Sequence, residues 1–204
     1  MKYFERRQYN DQYAETGNLN ILNGYRQTDY HDIPDYRTVV YLLRHLLKKL
    51  PHSSIESIVD IGCGNGLLLA FIRESLGTDI IPYGYEYNPV AIEVLKTKVF
   101  PQFAENFSQK DVDTLTHPID QDVALIMHGD YDWNRLSVTS PHLIVRMRIH
   151  LEDHPMEENR KQAIIKANAG LEQSKRLKML ETKKSSYRHT FRLYENLNNG
   201  EPLY

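Results

Sequence analysis

The sequence has a single cysteine and no long apolar run, and each shortage excludes a class of protein. One cysteine among 204 residues excludes an internal disulfide and a cysteine cage for a metal ion. The apolar runs are a handful of residues long, whereas a membrane-spanning helix needs roughly 18–20. The first residues also lack the apolar core of a signal peptide. We therefore expect a soluble protein of a reducing compartment, the cytoplasm.

No charge of one sign dominates the chain. The formal net charge is −2, so there is no global basic field for nucleic acid. The charges are nevertheless unevenly placed, because residues 1–142 sum to −6 and residues 143–192 to +6. The basic segment is either a solvated helix face or a surface for an anionic substrate or an acidic partner.

Length and composition are typical of one globular domain with a terminal extension. We predict an N-terminal helical, tyrosine-rich extension at 1–51 and an α/β domain at 52–204. Seven of the 14 tyrosines lie within the first 41 residues. Because tyrosine combines apolar area with a polar tip, this cluster either packs on the body of the protein or lines a pocket. In the second case Tyr9, Tyr13 and Tyr30 could form a lid.

Apolar periodicity alternates between strand and helix, which favours a Rossmann-like, mostly parallel sheet flanked by helices. Alternating or β-branched runs predict six strands, at 55–61, 80–86, 103–107, 122–127, 142–151 and 187–193. Helical spacing predicts helices that begin near Asp32, after Gly66 and after Asn88, and a long helix at about 156–180. One strand, rather than a final hairpin, is expected after the long helix.

The strand predicted at 142–151 is unusual because one of its faces is basic. Arg146, Arg148 and His150 alternate with apolar residues, so they share that face. Either this face is exposed or the three side chains look into a polar pocket.

The most informative segment is the glycine-rich run Val59–Gly66, which joins a predicted strand to a predicted helix. Gly62, Gly64 and Gly66 let the backbone turn sharply and approach a ligand without a Cβ in the way. The helix that follows presents unpaired N–H groups in its first turn. Open α/β sheets bind ligands at such junctions, so we predict a cofactor-binding turn.

Two acidic residues follow this turn at positions where they could contact a nucleoside. Glu86 ends the second strand, and a carboxylate there can accept hydrogen bonds from both hydroxyls of a ribose. Asp111 follows the third strand and could meet the exocyclic amino group of adenine. An ordinary surface acid is the alternative at each position.

The turn also distinguishes between two nucleotide cofactors. A dinucleotide site favours a third glycine at position 67, where this chain has Leu67. Asp60, two residues before Gly62, would repel a pyrophosphate but would suit a cofactor with an ammonium and a sulfonium group. The residues therefore favour S-adenosylmethionine (SAM) over NAD.

In these motifs residues 55–128 resemble the class I SAM-dependent methyltransferases. Val59–Gly66 is similar to the first motif of that family, Gly84–Pro89 to the second and Lys110–Val112 to the third. The resemblance implies cofactor-binding roles for nine residues: Asp60, Gly62, Cys63, Gly64, Glu86, Tyr87, Asp111, Val112 and His128.

The resemblance also implies separate contacts within that set. Gly62, Cys63 and Gly64 would line the methionine moiety. Tyr87 would pack on the adenine, and His128 would lie at the edge of the site. We expect the thiol of Cys63 to be an inert filler of the turn rather than a nucleophile.

The residues after the fourth strand carry the catalytic prediction. They lack the Asn/Asp-Pro-Pro-Tyr/Phe sequence of enzymes that methylate the amino groups of adenine or glutamine, which argues against those acceptors. His128 is the candidate base for an acceptor that must lose a proton. Asp130 could orient it or bind an amine, and Tyr131 could donate a hydrogen bond or stack. A plain loop, with His128 as a binding contact only, is the alternative.

Together these features predict a methyltransferase that acts on an oxygen or nitrogen atom of a small molecule. Three alternatives stay open: another SAM-using enzyme (cyclisation or elimination), a non-catalytic binding protein, and an RNA methyltransferase. The expected partner is a small-molecule acceptor, with no membrane, nucleic acid disfavoured and a homodimer left open. His150 and His154 have the spacing of a helical metal pair, but Pro155 argues against a helix there, so no metal is expected.

Overall fold

The computed structural model describes residues 36–51, 55–76, 79–111, 114–115, 118–127, 138–148, 158–184 and 189–197. Its strands are β1 (Ser57–Ile61), β2 (Ile81–Glu86), β3 (Phe107–Gln109), β4 (Val123–Ile126), β5 (His142–Arg148), β6 (Leu177–Lys184) and β7 (His189–Asn196). The α-helices in these ranges are α1 (Tyr36–Leu47), α2 (Leu67–Leu76), α3 (Pro89–Val94) and α4 (Glu158–Gln173).

All seven strands belong to one mostly parallel sheet, in the order β3-β2-β1-β4-β5-β7-β6. The strands from β3 to β5 are mutually parallel, and β7 is antiparallel to both of its neighbours. The strand order reverses between β1 and β4. In open α/β sheets this reversal creates a crevice at the carboxyl ends of the strands, where ligands bind. The predicted Rossmann-like fold is therefore confirmed.

Helices cover both faces of the sheet because alternate strand residues are apolar on each side. On one face Leu43 of α1, Ile72 of α2 and Ile92 of α3 belong to a single buried cluster with the sheet. On the other face Leu171 of α4 packs with Val145 of β5. None of the described helices is long and apolar enough to cross a membrane.

The helix predicted after Asp32 is present as α1 and contributes directly to the core. Leu43, Leu46 and Leu47 are fully buried, and burial of each such side chain stabilises the fold by roughly 1.5–3 kcal/mol. The helix gives way to a turn before Pro51. Residues 1–35, with the tyrosines proposed as a lid, lie outside the described part of the chain.

The expectation of one strand after the long helix is wrong. Helix α4 ends at Gln173, and residues 177–184 form β6, which pairs with β7 as an antiparallel hairpin. Leucine, lysine and glutamate favour helix by propensity, but the ladder of hydrogen bonds to β7 overrides that preference. The charged side chains of β6 are typical of a strand at the edge of a sheet.

The third strand also begins later than predicted. Residues Pro101–Asn106 form a 3-10 helix, and β3 starts only at Phe107. The ring of Phe100 stacks on that of Phe107 at 5.5 Å between centroids and meets Phe103 edge-on at 6.3 Å. The aromatic run that suggested a strand therefore serves packing between this segment and the sheet.

One of the two alternatives for the basic face of β5 is decided at Arg146. Its side chain is buried, with 7% exposed, so an exposed face is wrong at this position. The side chain of Arg148 and residue His150 lie outside what the structure describes.

Candidate functional site

The glycine-rich turn between β1 and α2 has the left-handed backbone that its sequence predicts. Gly62, Gly64 and Gly66 have φ values of 80°, 55° and 77°, a region that residues with a Cβ rarely adopt. The N–H groups of Gly62 and Cys63 both donate to the carbonyl oxygen of Tyr85, at 2.8 and 3.1 Å. The turn is thus fastened to the end of β2, and the carboxyl ends of β1 and β2 form one unit.

Asn65 connects this turn to the first turn of α2. Its side-chain Oδ1 accepts a hydrogen bond from the N–H of Leu67 at 3.4 Å, which satisfies one of the N–H groups left unpaired at a helix start. Asn65 is almost completely buried. The helix therefore begins at a defined point directly after the glycines.

Glu86 lies at the centre of the site and links two segments through its carboxylate. Oε2 accepts from the backbone N–H of Gly64, and Oε1 accepts from the backbone N–H of Asn88, each at 2.9 Å. Glu86 is 6% exposed. These two bonds hold the carboxylate in a defined orientation.

Asp60 is a second buried carboxylate beside Glu86. It belongs to β1, where it pairs with Gly84 of β2 and Leu125 of β4. It is 2% exposed, and its Oδ1 has no hydrogen-bond partner among the described residues. Burial, and then the charge of Glu86, raise the pKa of Asp60 to about 7 from an ordinary value of 3.8. Such a buried acceptor suits a ligand that brings a cationic donor.

Cys63 fills the space between the turn and β2. A Cβ added to Gly84 would lie 2.7 Å from the Cys63 Sγ atom, so the Cys63 side chain occupies the space that such a Cβ would need. Burial, together with the charges of Asp60 and Glu86, raises the pKa of the Cys63 thiol well above its ordinary value. The thiol therefore stays protonated, in accordance with a filler role rather than a nucleophilic one.

Tyr87 and Asp111 both lie beyond the carboxyl ends of their strands, β2 and β3. The N–H of Lys110 donates to the carbonyl oxygen of Glu86 at 2.9 Å, so the chain after β3 stays beside the end of β2. The carbonyl oxygen of Tyr87 accepts from Gln109 Nε2 at 3.3 Å. Tyr87 is half-buried and Asp111 is exposed, so both side chains are accessible to a ligand at these strand ends.

The structure brings together most of the predicted cofactor residues and leaves the others outside the described ranges. At the carboxyl ends of the strands lie Asp60, the glycine-rich turn, Glu86, Tyr87 and Asp111. Four predicted residues lie outside the described part of the chain: Val112, His128, Asp130 and Tyr131. Among the residues that are described, no group of three or more His, Cys, Asp or Glu side chains could hold a metal ion.

One contact of this site was not predicted from the sequence. Asn88 indicates the start of a helix, but the hydrogen bond from its N–H to the Glu86 carboxylate was not expected. The spacing Glu-x-Asn-Pro is the signal that was available, because a helix cap two residues after a strand-ending acid places its N–H beside that acid.

Comparison with known protein sequences finds a match over a short segment of the chain. No family model matches the chain. Over 58 residues it is 31% identical to Malonyl-[acyl-carrier protein] O-methyltransferase of Haemophilus influenzae, and the match covers 28% of this chain and 21% of that protein. The chain thus aligns with about a fifth of the length of this curated relative.

Comparison with solved structures finds matches that cover most of the chain. Magnesium protoporphyrin IX methyltransferase (ChlM) from Synechocystis PCC 6803, solved with bound SAH, superposes with a TM-score of 0.54 at 14% identity and covers 92% of this chain and 97% of its own. The [4+2]-cyclase SpnF gives 0.56 at 12% identity, over 93% and 95%. The 16S rRNA methylase ArmA gives 0.53 at 19% identity, over 78% and 83%. Identities this low show a shared fold and do not specify the reaction.

Proposed function

We propose that this chain, which has the fold of the class I SAM-dependent methyltransferases, transfers a methyl group from SAM to an oxygen or nitrogen atom of a small-molecule acceptor. The observation that carries the proposal is the pair of buried carboxylates, Asp60 and Glu86, at the glycine-rich turn. The pair lies at the crevice where open α/β sheets bind ligands.

The described residues suit SAM in charge and in shape. Glu86 is oriented by two backbone bonds and would accept from the ribose hydroxyls. Asp60 Oδ1, which has no hydrogen-bond partner in the described part of the chain, would accept, directly or through a water molecule, from the ammonium group of the methionine moiety. Around Gly64 the absence of a Cβ leaves room for close approach of a ligand.

The charge of Asp60 disfavours a dinucleotide. An acid at the position of Glu86 can bind the ribose of either cofactor. The carboxylate of Asp60, beside the glycine-rich turn, would repel a pyrophosphate, and Glu86 already adds to the repulsion at Asp60. A cationic cofactor relieves this repulsion, whereas an anionic one increases it. This difference supports SAM over NAD.

When bound, SAM supplies a methyl group on a sulfonium, and displacement at that carbon depends mainly on positioning and exclusion of water. We propose that His128 accepts the proton of an acceptor that must lose one, with Asp130 orienting it and Tyr131 contacting the acceptor. Val112 and His128 would complete the cofactor site. An acceptor that is already nucleophilic, such as a neutral amine, would not need the base.

Isothermal calorimetry with SAM, SAH and NAD in parallel tests the proposal. We expect micromolar dissociation constants for the two sulfur nucleotides and no binding of NAD. A screen of alcohols, phenols and amines, with SAH formation as the readout, would then identify the acceptor. Binding without turnover of any acceptor would favour the non-catalytic alternative or another SAM-using reaction, and silence from all three nucleotides would contradict the proposal.

RNA methylation is a second candidate, favoured by the basic segment at 143–192 and by the shared fold with an rRNA methylase. That neighbour means that the fold does not support the exclusion of nucleic acid predicted from the net charge. Binding to RNA that weakens steeply with salt would favour this candidate. Indifference to RNA would favour the small-molecule acceptor. A cytoplasmic location is a part of the proposal that rests on the sequence alone.

A further inference from the structure

The position of the Glu86 carboxylate depends on a residue with no assigned role. One of its oxygens binds the glycine-rich turn through Gly64, and the other binds the N–H of Asn88, both at 2.9 Å. A glutamate side chain has three rotatable bonds and loses considerable entropy when it is held in one orientation. The contact on the Asn88 side therefore contributes to presenting the carboxylate in a single geometry.

Asn88 is itself held firmly by its own side chain. Its Oδ1 accepts from the N–H groups of Val90 and Ala91, at 2.8 and 3.2 Å, and so caps α3. Its backbone is extended, with φ −78° and ψ 116°, which is the conformation that the following Pro89 favours. Asn88 is 1% exposed. The cap and the proline together set the direction of the Asn88 N–H toward Glu86.

We propose that Asn88 is a positioning residue for ribose recognition: its side-chain cap fixes its backbone N–H, and that N–H holds Glu86 in the orientation that binds the ribose hydroxyls. The inference rests on the proposed function, because it assigns a role within the same cofactor site. In this role the Asn88 cap of α3 affects cofactor affinity as well as the stability of the helix.

Three variants separate this role from general stability. Asn88→Ala removes the side-chain cap, so the orientation of the backbone N–H at position 88 is no longer fixed by it. Asn88→Ser restores a side-chain oxygen that can cap the helix. Ser57→Ala is the matched control. It removes two hydrogen bonds with Asp122: the Ser57 hydroxyl donates to Oδ2 at 2.9 Å and accepts from the Asp122 N–H at 3.0 Å. Both bonds lie at the amino ends of β1 and β4, away from the site.

Calorimetry with SAH gives the first readout. Asn88→Ala should raise the dissociation constant about tenfold, Asn88→Ser should recover to within about twofold of the wild type, and Ser57→Ala should leave it unchanged. In a Glu86→Ala background, which removes the acceptor of the Asn88 N–H, Asn88→Ala should have a much smaller effect on affinity, because the two residues act through one contact.

Hydrogen exchange of the cofactor-free protein gives a second readout. The amide of Gly64, which is bonded to Glu86, should exchange faster in Asn88→Ala than in the wild type or in Ser57→Ala. Equal affinity of the wild type and Asn88→Ala, or full additivity of Asn88→Ala with Glu86→Ala, would overturn the inference and leave the proposed function standing. A wild type that binds no SAH would overturn the proposed function and with it the ribose role.

Discussion

The side chain of Leu95 occupies the space that a Cβ on Gly66 would need. A Cβ built on Gly66 would lie 2.8 Å from both Cδ1 and Cγ of Leu95, which is closer than real Cβ contacts. Leu95 begins the π-helical turn Leu95–Val99 that follows α3 and is fully buried. The glycine-rich turn is therefore packed against the segment that follows the second strand, as well as being shaped for a ligand.

Gly66→Ala should destabilise the protein by about 2–4 kcal/mol, because it combines an unfavourable positive φ with overpacking against Leu95. Urea denaturation of the two proteins measures the difference. Gly170→Ala is the matched control, since nothing lies within 4 Å of a Cβ at that position in α4, and it should stabilise by about 0.5–1 kcal/mol. If Gly66→Ala left the free energy of unfolding unchanged, that result would contradict the close contact with Leu95.

Asp60 should give the folded protein a distinctive pH dependence. Its pKa is raised in the folded state to about 7 from 3.8, so the folded state binds the proton more tightly than the unfolded state. This contribution to stability is fully present below about pH 4 and is lost as the pH rises through about 7. The full change is up to about 4 kcal/mol.

Asp60→Asn, which cannot ionise, should lack this contribution. The stability of the variant relative to the wild type should therefore increase between pH 5 and pH 8, measured without cofactor by urea denaturation at each pH. Titrating groups that do not interact with Asp60 cancel in the difference. A pH-independent difference would show that Asp60 titrates normally in the folded protein.

Glu86→Ala should weaken SAM binding about a hundredfold, because it removes the acceptor that we propose for the two ribose hydroxyls and releases the turn at Gly64. Asp122→Ala is an informative comparison. Its Oδ2 accepts from the N–H groups of Glu56 and Ser57 and from the Ser57 hydroxyl, at 2.8–2.9 Å. These bonds lie at the amino ends of β1 and β4, away from the site. It should cost stability and leave affinity unchanged. Calorimetry distinguishes the two, and equal affinity losses would refute our placement of the ribose.

Cys63 should resist thiol reagents in the native protein. It is buried and its pKa is raised by burial and by two carboxylates, so thiolate is scarce at pH 8. Labelling with a disulfide reagent should be about a hundredfold slower than in urea. The chain has one cysteine, so the signal is unambiguous. Rapid native labelling at full stoichiometry would refute the filler role.

His128→Ala separates the two roles proposed for this residue. If His128 is the base, turnover at saturating cofactor and acceptor should fall, while the SAM dissociation constant changes little. The comparison uses calorimetry and SAH formation on one preparation. Reduced affinity with turnover preserved at saturation would make His128 a binding contact only.

Much of the fold was predictable because its signals are local. The turn residues 62–66 and the β-branched run of β1 indicated a strand-to-helix junction, and Asn88-Pro89 indicated the start of a helix. Prediction was less successful where pairing partners decide. Residues 177–184 have helix-favouring side chains, and only the ladder to β7 makes them a strand.

The glycine-rich turn, the spacing to Glu86 and the α/β alternation follow from residue type and short-range periodicity, so they could be predicted from the sequence. Three properties follow only from the folded arrangement: Glu86 joins Gly64 to Asn88, Arg146 is buried, and the described residues provide no hydrogen-bond partner for Asp60 Oδ1. These properties depend on burial and on contacts between residues distant in the chain. Neither can be read from local sequence, because desolvation and hydrogen bonding arise only when the sheet and its helices pack together.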